Sequence, residues 1–236
     1  MKNVLIAIFV AIFVVGIGFW IWGYLKGQEI KKQGQQLEQI TSDTLKLATV
    51  NSDSFEISLS EWKNLSEKAP SIIDQFETIS AASDLLKEKA NRFYGAQSQD
   101  KYREAQYLQI LLNGQRTMDL KNTQSKSKGQ IESALKQLEE FQNSLSDLSL
   151  GPEFNEELAK LNQESSTFKE SITRLNEQMS YSSPSVQLDS AGLDKAIDEL
   201  KQALVKTLND FVDLQNSIRD EIQKMSSTKW FNPLTK

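Results

Sequence analysis

The feature that most limits what this chain can fold into is a step. From Leu65 the apolar positions run Ala69, Ile72, Phe76, Ile79, Leu86, Ala90 and Phe93, in intervals of four and three, with Ser83 as the polar slot. The same stepping returns at Phe154, Leu158, Leu161, Ser165, Phe168, Ile172, Leu175 and Met179. It returns again at Leu193, Ile197, Leu200, Leu204, Thr207, Phe211, Leu214, Ile218 and Met225, where Glu221 is the one charged slot. Such spacing lines one face of a helix and leaves Glu, Lys, Gln and Ser outside. A helix cannot bury its own stripe, so these helices must pack on one another. Each Leu, Ile or Phe so buried contributes about 1.5–3 kcal/mol.

Shorter series complete the pattern. Ile30, Leu37, Ile40 and Leu47 suit one helix. Tyr102, Ala105, Leu108, Leu111, Leu112 and Met118 suit another, weakened by Gly114. Ile131, Leu135, Leu138, Phe141, Leu145 and Leu148 suit a third, stopped by Gly151-Pro152. The spacing predicts helices at about 27–48, 60–94, 99–122, 130–149, 153–180 and 190–226. Pro70 kinks the second or begins its main part, and Gly95 stops it. Asn122–Gln130 and the stretch "SYSSPSVQLDS" read as loops. Phe55, Ile57 and Leu59 alternate, but three residues are too few for a strand. Without strand–helix alternation an α/β fold is not expected. The expected fold is all-α: an N-terminal single transmembrane helix, then an elongated antiparallel helical bundle, a coiled-coil-like rod. Its parts are an anchor at 1–26, a membrane-proximal helix at 27–48, the bundle at 49–228 and a tail at 229–236.

The anchor rests on Val4 to Leu25, 22 residues without a charge. As a helix they would span about 33 Å, enough for a hydrocarbon core of about 30 Å. Phe19, Trp20, Trp22 and Tyr24 crowd the far end, where amphipathic aromatics favour the headgroup zone, and Lys26 follows. A cleavable signal has a shorter apolar region and a small-residue cleavage site. This run is too long, and its end is bulky. A signal anchor, single-pass in the cell membrane, is the expectation. Orientation is nearly balanced. Lys26, Lys31 and Lys32 favour a cytoplasmic C-terminal part. A short Lys-bearing start and a Ser/Gln/Asn-rich, cysteine-free remainder lean to the extracytoplasmic face.

Gly16, Gly23, Gly27 and Gly34 fall at intervals of seven, four and seven, on one stripe. Small residues so spaced let helices approach closely. A homodimer through this stripe is one reading. The other is chance, since glycine is frequent in membrane helices.

The chain has 236 residues and a net charge of −5, with no cysteine and no histidine. Disulfides, thiolate chemistry and Cys-type zinc sites are excluded. The commonest general base and transition-metal ligand are missing too. Residues 1–32 carry +3 and the remainder −8, with five scattered arginines. Nucleic acid is therefore not an expected partner. No phosphate loop, zinc-protease or nucleophile-elbow motif occurs. Ser-x-x-Lys at Ser60, Ser125 and Ser166 lacks a companion box. Glu139-Glu140 and Glu156-Glu157 point apart on outer helix faces, not across a cleft. No catalytic, cofactor-binding or metal residue is assigned. Asn64-Leu65-Ser66 matches a glycosylation acceptor, but Leu65 is a seam residue.

Trp230 and Phe231 lie beyond the last helix, beside Lys229. They are either a docking peptide or a tail folded back on the bundle. The expected role is structural: an anchored helical scaffold in protein–protein interaction, with the lipid bilayer and another membrane or envelope protein as partners. The alternative is a ligand-sensing or accessory domain acting through a membrane partner.

Overall fold

A computed structural model describes residues 2–51, 57–118 and 125–227, with side chains from Phe13 onward. Among them the chain is all-α. Seven helices follow in order: α1 (Lys2–Thr41), α2 (Leu59–Thr78), α3 (Asp84–Tyr94), α4 (Gln97–Thr117), α5 (Lys128–Ser146), α6 (Asn155–Gln178) and α7 (Ala191–Ser226). A 3-10 turn at Pro152–Phe154 leads into α6. The one small sheet pairs β1 (Ser125–Lys126) antiparallel with β2 (Val186–Gln187).

Two compact units divide the chain. The first takes Met1–Lys46, Lys68–Gly95 and Leu214–Lys236; the second takes Leu47–Glu67 and Ala96–Asp213. α2 passes from one to the other beside Pro70, whose missing N–H interrupts the helical ladder there.

In the first unit the segments alternate in direction. Asp43 near the end of α1 pairs with Lys68, while Gln33 earlier in α1 holds the turn after α2. α3 returns alongside, so that its Tyr94 meets Thr44, 3.1 Å from hydroxyl to hydroxyl. α7 then runs opposite to α1, placing Arg219 at the Leu45 carbonyl and Ser226 at Gly34. The core between them holds Leu37, Ile72, Phe76, Leu86, Phe93 and Ile218, all nearly inaccessible. Tyr94 meets Phe93 edge-on at 4.9 Å and Phe76 at 5.7 Å, spacings at which aromatic pairs attract beyond their burial.

The series from Leu65 to Phe93 is buried as the spacing predicts, but it is not one helix. α2 stops at Thr78 and α3 starts at Asp84. Ser83, the polar slot, is the N-cap of α3: its hydroxyl accepts the Leu86 N–H at 3.1 Å. The serine interrupts the seam because it starts a new helix. α1 also differs from expectation. It is continuous across position 27 and ends at Thr41, where Thr41 and Ser42 turn their hydroxyls onto the preceding carbonyls.

In the second unit α5 packs on α4 and α6. Gly114 makes room for Phe141: a Cβ there would lie 2.4 Å from the phenyl ring. The glycine that weakens α4 in isolation is what admits α5. Trp62 stacks on Phe211 at 6.2 Å, and the Asn209 amide clasps both backbone groups of Val50 at 2.8 and 3.0 Å.

No helix is long and apolar enough to cross a membrane among the described residues. The side chains described in the uncharged run begin at Phe13, and a helix from there to Leu25 covers only about 20 Å. The fold therefore lends the membrane-spanning expectation no support. What it does describe is a helix whose apolar residues are uncovered, with Phe13 69% and Phe19 71% exposed.

Candidate functional site

Three places concentrate chemistry or unusual surface. The first is the polar interior of the second unit, between α4 and α7. Glu104, buried on α4, accepts hydrogen bonds from the Lys101 ammonium at 2.6 Å and the Thr207 hydroxyl at 2.6 Å. Burial pushes its carboxyl above the ordinary range; Lys101 and Thr207 pull it back, and the Glu153 charge pushes the same way as burial. Three turns on, the Gln115 amide donates to Asp194 and Asp198, each at 2.8 Å. The Lys201 ammonium donates to Asp198 at 2.6 Å and to the Gln115 carbonyl oxygen at 3.2 Å. Every polar group named is matched by one of opposite character, as a low-dielectric interior requires. That pairing ties α4 to α7 and fixes their register.

The second is a groove of about 300 Å³ in the first unit, lined by Glu38, Thr41, Ser42, Leu45, Arg219, Ile222 and Gln223. Arg219 is tied to the Leu45 carbonyl and, at 3.3 Å, to Asn216. In the same unit burial pushes the Tyr94 phenol up, so it stays a neutral donor or acceptor. Asp43 is held below the usual carboxylate range by Lys46 and Lys68.

The third is the apolar run of α1. Trp20 stacks on Tyr24 at 6.2 Å, and Trp22 and Leu25 are 63% and 60% exposed. Val4 belongs to α1, but its side chain lies outside the described residues, as do Trp230 and Phe231 entirely. The four glycines part company. Gly16 and Gly23 face open space. Gly27 is buried. Gly34 has a partner inside the chain: a Cβ there would lie 2.5 Å from the Ser226 nitrogen and 2.7 Å from the Met225 carbonyl carbon.

Sequence reasoning missed Glu104, Gln115 and Lys201 as interior residues. All three lie on α4 and α7 beside predicted core positions, and no periodicity separates a buried charge that is paired from an exposed one. Among the described residues no group of acidic side chains could hold a metal ion. Comparison with family models, curated proteins and solved structures found no significant match.

Proposed function

We propose that this is a single-pass membrane protein that presents a helical scaffold to a second membrane or envelope protein and performs no catalysis. The uncharged stretch from Val4 to Leu25 carries the reading. A 22-residue apolar helix with aromatics at one end has lipid as its natural solvent. The exposed Phe19, Trp22 and Leu25 of α1 support it, because elsewhere among the described residues large apolar side chains are buried or half-buried, Leu85 and Tyr181 excepted. The interior polar residues are spent on each other, which supports a structural role over a catalytic one. The bundle is assigned to the extracytoplasmic side, on the composition of the remainder.

The test is extraction of membranes from cells expressing the full chain. The protein is expected to stay in the pellet through an alkaline carbonate wash and to enter the supernatant with detergent. Release by carbonate alone would overturn the reading.

The groove at Arg219 favours a second reading, in which the bundle binds a small polar ligand and acts through a membrane partner. Arg219→Ala would then abolish any ligand-induced rise in melting temperature, and a rise that survives the substitution would exclude that groove.

A further inference from the structure

Outside α1, the exposed large apolar side chains among the described residues are Leu85 and Tyr181. Tyr181 has an account: the Lys128 ammonium sits 4.9 Å from its ring centre. Leu85 has none. It is 56% exposed in the first turn of α3, a helix that buries Leu86, Ala90, Phe93 and Tyr94.

Its place in the first unit supplies the account. The turn before α3 is held at the level of Gln33: the Gln33 carbonyl oxygen accepts the Ala81 N–H at 2.8 Å, and its amide donates to Ser80 at 3.2 Å. α7 ends at the same level, with Ser226 against Gly34. One end of the first unit therefore brings together the α2–α3 turn, the first turn of α3 with Leu85, and the last turn of α7, at the end of the unit nearer Leu25 along α1. Lys31 and Lys32 are exposed on the α1 turn just before this level, and Lys224 is exposed on the last turn of α7.

The distances fit a surface contact. Gln33 is eight residues beyond Leu25, about 12 Å along a helix. The headgroup layer fills about 5–8 Å of that on each side of the hydrocarbon. Spanning helices tilt by about 20°. Over a neighbouring helix about 8–10 Å away, a tilt of α1 toward α3 would lower the α3 end by about 3 Å. The remaining gap is small enough for leucine and lysine side chains to cross.

We propose that this end of the first unit rests on the bilayer, with Leu85 entering the headgroup layer and Lys31, Lys32 and Lys224 meeting lipid phosphates. The inference rests on the anchor reading. It adds that the first unit is held on the membrane surface by a second, shallow contact, so that the unit's orientation is fixed and not merely tethered. The acidic groups at the same end include Glu77 in the last turn of α2, Asp84 beside Leu85, and Glu29 and Glu221, which pair with Lys26 and Lys224. The contact is therefore with headgroups in general and not with anionic lipid alone.

The chain has no cysteine, so one introduced thiol labels one place. Leu85→Cys and Lys46→Cys, both at exposed positions, are labelled with an environment-sensitive fluorophore in the full chain. Lys46 lies at the opposite end of the first unit. The proteins are reconstituted in phosphatidylcholine vesicles with and without a headgroup-nitroxide lipid. Loss of emission at Leu85→Cys and none at Lys46→Cys is the expected result. Vesicle-bound protein with no quenching at Leu85→Cys would overturn this inference and leave the anchor standing. Protection of that probe from aqueous iodide without nitroxide quenching would assign Leu85 to a second copy, and would overturn it as well. Protein that does not float with vesicles would overturn the anchor reading and this inference with it.

Discussion

The two units bury different things. The first closes over rings and hydroxyls: Phe76, Phe93 and Tyr94 in mutual contact, Thr41 and Thr44 on backbone and phenol, and Gly34 against α7. The second closes over Leu and Phe as well, but holds Glu104, Gln115 and Lys201 in its interior, matched across α4 and α7. Shape sets the register in one, and charge matching sets it in the other. A packed ring tolerates any pH but no change of volume. A paired carboxyl tolerates neither a missing partner nor, without a change in energy, a change of pH.

The largest expected effect tests the shape-based unit. Phe76→Ala removes a ring that is 1% exposed and should cost about 3–5 kcal/mol in denaturant titration. Loss of amide protection should centre on 68–95 and 214–226. Equal loss across α5 and α6 would break the distinction between the units.

The glycines sharpen it. Gly34→Ala drives a methyl into the backbone of α7 and should cost about 1–3 kcal/mol. Gly114→Ala meets the side chain of Phe141 and no backbone among the nearest atoms, and alanine recovers about 0.5–1 kcal/mol of helix propensity. Its net effect should be the smaller of the two. The reverse order in melting curves would contradict the backbone contact at Gly34.

Glu104 tests the charge-matched unit. Its folded-state pKa is raised, so Glu104 binds its proton more tightly when folded than when unfolded. Its contribution to stability is then greatest below the ordinary carboxylate pKa and declines as pH rises through the raised value. Glu104→Gln mimics the protonated form and should flatten that decline without loss of helix content. A mutant whose stability–pH profile matches the parent's would show that Glu104 is not the titrating group. The smallest effect belongs to the surface. Lys46→Ala removes an exposed pair with Asp43, and its melting temperature should correspond to a change within about 0.5 kcal/mol.

How much of this was legible before the fold was known depends on the helix. Along α6 and its two flanking residues the stepping buries Phe154, Leu161, Ser165, Phe168, Ile172 and Met179, while Leu158 and Leu175 are only half-buried. In α7 it holds through Leu204 and then slips. The buried positions become Leu208, Phe211, Gln215, Ile218 and Ile222 instead of the slots at 207, 214 and 221. A strict heptad repeats every 3.5 residues, and a straight helix turns every 3.6, so the seam drifts by about 20° per heptad. Over the 36 residues of α7 that drift exchanges Glu221 for Ile222, and the apparent charged slot disappears. Ser83 was visible as an exception but not as a cap, since a polar slot in a stripe and the start of a helix look alike in sequence. The partners of Gly34 and Glu104 lie 192 and 103 positions away along the chain, beyond any local pattern.

The proposed anchor requires that lipid cover the apolar run of α1, whose Phe13, Phe19, Trp22 and Leu25 are exposed among the described residues. Ile17→Cys in the full chain, reconstituted in sealed vesicles and treated with a membrane-impermeant maleimide, measures this directly. The account predicts no labelling until detergent opens the bilayer, while Lys46→Cys labels on the outward-facing molecules. Labelling of Ile17→Cys in intact vesicles at the rate of Lys46→Cys would contradict it.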